Sequence, residues 1–183
     1  LQNTTLNKVL HARLLAEGAL AVDAGTQSKA ADFQATLSAD EIDAVSRPLA
    51  SVLRGKVPAV FEGVAPYDPD ANDILFGSTD VADVSWITPT AQAWVACYAF
   101  GTPMHSWQMV SQGQSALAHA GMVRAARVLA TTAIELVRRP GLIAQAKAEL
   151  LQRRQGKPYE CPIPADVPLP FLRPQDSQAN QNR

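Results

Sequence analysis

The residues with the most chemical promise fall in two short loops. The first reads Gly77-Ser78-Thr79-Asp80-Val81-Ala82-Asp83. Its glycine permits a tight turn, and Ser78, Thr79 and Asp80 favour a helix N-cap, where N–H groups and hydroxyls can hold a carboxylate or a developing oxyanion. Plain helix capping explains the same residue types and is the simpler reading of them. The second loop, Gly101-Thr102-Pro103-Met104-His105-Ser106-Trp107, carries an imidazole at His105 that can ligate a metal or move a proton. A lone histidine is more often structural or solvated, so His105 needs context before it counts as a ligand. Trp86, Trp94 and Trp107 flank the two loops and can wall a pocket for a ring-bearing substrate; core packing accounts for them equally. Asp68, Asp70 and Asp73 cluster without the remainder of a calcium loop and read as solvated. Neither a P-loop, nor G-x-G-x-x-G, nor G-x-S-x-G occurs, so nucleotide binding and serine hydrolysis lose their usual signatures.

Elements around these loops must position them. Thr4 is expected to cap an amphipathic helix with Leu6, Val9, Leu10 and Leu14 on one face, ending near Gly18; its histidine, His11, reads as solvated. A short helix holding Ala30 and Phe33 follows Gly25, and Ser38 with Glu41 forms an S-x-x-E capping box opening a helix to about Arg54. Residues 58–73 read as a long surface connection, and Ile74 to Phe76 as a short apolar run. Ala91 to Phe100 is apolar at alternate positions of both faces and reads as a strand buried on both sides. A long helix is expected from Gln114 to Arg138, with Ala116, Ala120, Val123, Ala130, Ile134 and Val137 facing a sheet, and His119 making a core hydrogen bond. Pro140 breaks it, a helix follows from Leu142 to Arg154, and a proline-rich tail ends in residues 171–183, which read as disordered. Strands separated by helices give an α/β layer structure with helices packed on a sheet, and ligands then sit beyond the carboxyl ends of strands, where both loops lie.

Composition narrows the class. With 47% hydrophobic residues among 183, the chain can bury one ordinary core. A formal net charge of −1 gives no field favouring nucleic acid or an anionic membrane, and no run approaches the roughly 18 apolar residues needed to span a bilayer. Cys97 and Cys161 lack metal-type spacing and suit a reducing cytoplasm. The chain opens on Leu1 already in a helical pattern, and only two strands are visible, so a longer parent chain is the expectation.

The run from Gly77 to Ala130, with a G-S-T-D loop, an apolar segment and a G-T-P-x-H-S-W loop in order, resembles the C-terminal region of the p-aminobenzoyl-glutamate hydrolase family. That family sits in the aminoacylase and glutamate-carboxypeptidase metallopeptidase superfamily. The tail Tyr159 to Pro168, YECPIPADVP, resembles the same ending. The resemblance implies that residues 1–170 are the second half of a mixed α/β catalytic domain without its lid domain. It implies an amidohydrolase that uses two divalent ions, zinc or manganese, on N-acyl or N-aroyl amino acids. His105 is then the last metal ligand, and Ser78, Thr79, Asp80 and Trp107 line the substrate side. The other ligands, a glutamate base and a lid mediating oligomerisation would come from an N-terminal half or a partner chain, and these residues alone should be inactive. A non-catalytic α/β subunit for binding or assembly is the rival expectation.

Overall fold

Asn3, rather than Thr4, caps the first helix: its Oδ1 accepts the Leu6 N–H at 3.0 Å, and α1 runs Thr4–Glu17. The computed structural model describes residues 1–70, 79–164 and 166–167. Asp23 caps α2 (Ala24–Gln34) by accepting the Thr26 N–H at 2.7 Å. The Ser38–Glu41 capping box forms as expected and opens α3 (Ala39–Ser46). Pro48 cannot donate to the preceding turn, so the chain tightens into a 3₁₀ turn over Arg47–Leu49 before α4 (Ala50–Leu53). Further on come α5 (Val81–Ile87), α6 (Trp107–Gln112), α7 (Ala116–Arg138) and α8 (Pro140–Arg154).

The expectation of helices packed on a sheet is not met, because the described residues contain no β-strand and helices pack on helices. Ala91 to Phe100, the expected buried strand, is extended but forms no ladder among the described residues. Its apolar side chains are shielded in part by α7, and alternation of apolar residues cannot distinguish burial by a helix from burial within a sheet. The other apolar run, Ile74 to Phe76, lies outside the described residues, as does the tail 171–183.

Among the described residues, buried apolar side chains gather in two clusters. Leu20, Ala30, Val60, Ala99 and Leu117 form one, with Phe33, Ala96 and Ala120 packed around it. Val60 and the flanking Ala59 come from the segment expected to be surface connection, so that reading is corrected over these residues. The other cluster lies where α1 packs on α7 and α8, around Leu10, Val128, Ala146 and Leu150. On α7 the buried positions are Leu117, Gly121, Arg124 and Val128, one step round from the expected stripe, while Val123, Ile134 and Val137 face outward. An interior arginine displaced the apolar pattern from the face it marks.

Gly121 lets α7 approach closely: a β-carbon there would meet the Ala96 carbonyl oxygen and lie 2.7 Å from Cys97 Sγ. One turn further, Arg124 is 6% exposed and donates to the Glu62 carbonyl at 3.2 Å and to the Gly18 carbonyl at the end of α1. Burial pushes its guanidinium pKa down, partly offset by Glu17, yet it remains a cation. At the other end of α1, both Glu149 oxygens accept hydrogen bonds: from Thr4 N–H at 2.7 Å, Thr5 N–H at 2.9 Å, Thr5 Oγ1 at 2.8 Å and Arg153 Nε at 2.9 Å. Burial alone would raise this carboxyl; the hydrogen bonds from Thr5, Thr4 and Arg153 outweigh it and hold it at about 2.

Two outcomes follow for stability. Gly121→Ala destabilises the fold by about 1–3 kcal/mol in denaturant titration even though alanine is the better helix former, because the opposing atom is main chain. Glu149 has a folded pKa below the ordinary 4.5, so its contribution is full above that value and is lost as pH falls from 4.5 towards 2. Glu149→Gln should therefore lower stability by on the order of 2 kcal/mol at neutral pH, and the difference from the parent should vanish towards pH 2 in acid-unfolding curves.

Candidate functional site

The loop bearing His105 is built from a turn, a short helix and one buried amide. Gly101 adopts φ +92°, a conformation that glycine reaches without strain, and it packs so near α3 that a β-carbon would lie 3.0 Å from Ile42 Cγ1. Thr102 closes the turn, its N–H and hydroxyl both bonding the Ala99 carbonyl, at 3.1 and 2.7 Å. Ser106 then caps α6: Oγ accepts the Met109 N–H at 3.1 Å and donates to the Pro103 carbonyl at 2.7 Å.

Gln112, at the end of α6 and 2% exposed, ties these pieces together. Its Oε1 accepts the Ala99 N–H at 2.7 Å, and its Nε2 donates to Thr102 Oγ1 at 3.2 Å and to the Gln108 carbonyl at 3.1 Å. From outside, Gln34 Nε2 donates to the Phe100 carbonyl at 3.0 Å and the Pro58 carbonyl at 2.8 Å. Sequence reading missed Gln112, Gln34 and Arg124, since polar residues carry no periodic signal and their burial is set by distant segments.

Held in this frame, His105 is exposed and adopts φ +60°. Few non-glycine residues occupy the left-handed region, and such strain persists where surrounding structure imposes it. Trp107, two residues on at the start of α6, is 61% exposed, as is Trp94; Met104 is 52% exposed. Met104 and Trp107, near neighbours of His105 in sequence, thus expose apolar surface, and core packing does not explain Trp107 or Trp94.

The first loop is described only in part. Ser78 lies outside the described residues. Thr79 and Asp80 are exposed; Thr79 Oγ1 accepts the Val81 N–H at 3.3 Å, and Asp80 occupies the cap position of α5 without a side-chain cap bond. Among the described residues no hydrogen bond joins Thr79 or Asp80 to His105 or Trp107. Tyr159, from the tail motif, donates to Asp83 in α5 at 3.2 Å and so brings the ending against the first loop's helix. The other histidines differ from expectation. His11 is half-buried with Nε2 3.0 Å from the Ala65 carbonyl, because the 60s segment folds back over α1, whereas His119 lies exposed on α7 rather than in the core.

Among the described residues no three or more His, Cys, Asp or Glu side chains gather to hold a metal. A catalytic zinc takes about three protein ligands, so these donors do not fit a metal unaided, and His105 is at most one ligand of such a set.

Over 176 residues the chain is 36% identical to a p-aminobenzoyl-glutamate hydrolase subunit of Escherichia coli (strain K12). That match takes in 91% of this chain and 36% of the relative, so the chain spans about a third of the relative's length. No family model matches the chain. No solved structure matches it.

The buried amide offers a direct test. Gln112→Leu leaves the Ala99 N–H without its acceptor and the Thr102 hydroxyl without its donor, and should cost about 2–4 kcal/mol in urea unfolding. Gln112→Glu, which keeps the acceptor for Ala99, should cost less near pH 4 than at pH 8.

Proposed function

We propose that the chain is part of a metal-dependent amidohydrolase of the p-aminobenzoyl-glutamate hydrolase family, within the aminoacylase and glutamate-carboxypeptidase superfamily. In this reading the substrate is an N-acyl or N-aroyl amino acid resembling p-aminobenzoyl-glutamate. Water adds across the amide, its hydroxyl going to the acyl carbon and its proton to the departing amine. The observation that carries the reading is the 36% identity across nearly the whole chain.

His105 supplies one ligand to a pair of divalent ions, zinc or manganese. The remaining ligands and a glutamate base come from a further segment or a partner chain, as does a lid through which the enzyme oligomerises. The left-handed backbone at His105 supports this role, because strain at an exposed, braced residue is the pattern of a side chain aimed for function. Thr79, Asp80 and the neighbouring Ser78 line the substrate side, and exposed Trp107 offers its indole face to the aroyl ring. Among the described residues no helix is long and apolar enough to cross a membrane.

Metal analysis of the complete enzyme tests the central assignment. His105→Asn, which tolerates the left-handed backbone, should lower metal affinity by roughly 10-fold or more and abolish turnover, while circular dichroism stays unchanged. His119→Ala is the control and should leave metal content as it was. Full occupancy with near-normal hydrolysis in folded His105→Asn would remove the proposal and favour a non-catalytic binding or assembly role. The 183 residues assayed alone should hydrolyse no N-acyl amino acid; Ser78→Ala and Thr79→Val in the complete enzyme should shift kcat or KM without emptying the metal site.

A further inference from the structure

Apart from the His105 loop, a groove of about 420 Å³ opens between α1, α7 and α8. Pockets of this size take small metabolites. Val9, Ala12 and Leu142 give it an apolar part, and Lys8, Arg13 and Arg139 line it alongside Glu135 and Glu149.

Charge within it is unevenly matched. Glu149 is already saturated by Thr4, Thr5 and Arg153, and Glu135 accepts from Arg139 at 3.0 Å. Among the described residues, no carboxylate pairs with Lys8 or Arg13. Arg13 Nε is moreover buried and has no hydrogen-bond acceptor among the described residues. Arg13 as a whole is only half-buried, so its terminal nitrogens can meet a ligand while Nε stays covered, and a guanidinium and an ammonium lining one groove suit the paired oxygens of a carboxylate or phosphate.

We infer that this groove is a binding site for a small oxyanion-bearing metabolite, gripped by Arg13 and Lys8 with Val9 and Leu142 as its apolar contacts. Arg139 stands at the rim, with its side chain 65% exposed, and can turn from Glu135 towards the ligand. Nothing in the inference depends on the hydrolase reading, since α1, α7 and α8 line the groove and the His105 loop does not.

Calorimetric titration and thermal-shift measurements with two probes, inorganic phosphate and glutarate, test it, each against sodium chloride at matched ionic strength. At least one probe should bind with Kd of about 1 mM or tighter and raise Tm; the tighter probe assigns the ligand to the phosphate or the carboxylate class. Arg13→Met, which keeps the aliphatic stem, should weaken that binding by about 10-fold or more. Lys8→Met, at an exposed position, should weaken it several-fold and remains decisive if Arg13→Met does not fold. Absence of binding by both probes up to about 10 mM, equal stabilisation by sodium chloride, or unchanged affinity in folded Lys8→Met overturns the inference.

Discussion

One buried cation fixes the relation between the long helix and the rest of the chain. Arg124 reaches from the inner face of α7 to the Gly18 carbonyl, which ends α1, and to the Glu62 carbonyl. The same Glu62 oxygen accepts the Leu20 N–H at 2.8 Å, so three segments far apart in sequence meet at two main-chain oxygens. Taking a guanidinium out of water is unfavourable unless its N–H groups find acceptors; both terminal nitrogens of Arg124 do, while its Nε has none among the described residues, and the carbonyls at a helix end are suited to a cation. The arrangement is therefore directional: the apolar clusters around Leu117 and Val128 supply attraction, and Arg124 determines which turn of α7 stands against which loop.

The candidate site depends on that placement at one remove. Ala99 and Phe100 are held between the 58–60 segment, through the Phe100 N–H to Ala59 carbonyl bond of 2.8 Å, and the Gln112 amide. With both ends of the Gly101 turn fixed, the chain has little freedom as it passes through Pro103 to His105. The histidine thereby projects from a short braced turn, with the exposed indole of Trp107 two residues on at the start of α6.

Local signals were legible in the sequence where they are self-contained. The Ser38–Glu41 box, the helix break at Pro140 and the end of the first helix at Gly18 need only neighbouring residues to be satisfied, and each is found in place. Signals that need a partner were read less well. The extended Ala91–Phe100 run looks the same whether a ladder or a helix covers it, which is why the α/β layering failed. The stripe on α7 went astray because a scan for apolar spacing passes over Arg124, the residue that marks the buried face. At the site, the G-T-P-x-H-S-W spelling singled out His105 and Trp107, but the bracing by Gln112 and Gln34 crosses 10 to 66 positions of chain and leaves no local trace.

The close approach at Gly121 has a consequence for how sequences of this fold can drift. Most tight contacts in a protein interior join two side chains, and a gain in volume on one can be absorbed by a loss on the other. Here the opposing surface includes the carbonyl of Ala96, which no replacement of Ala96 can shrink. Relief needs the helix or the main chain at 96–97 to move, and lifting the helix as a rigid rod would draw Arg124, on the same face one turn away, off both its acceptors. Position 121 is thus coupled to Arg124 through the stiffness of the helix: bulk added at the glycine is felt at the arginine's hydrogen bonds, by mechanics rather than by chemistry.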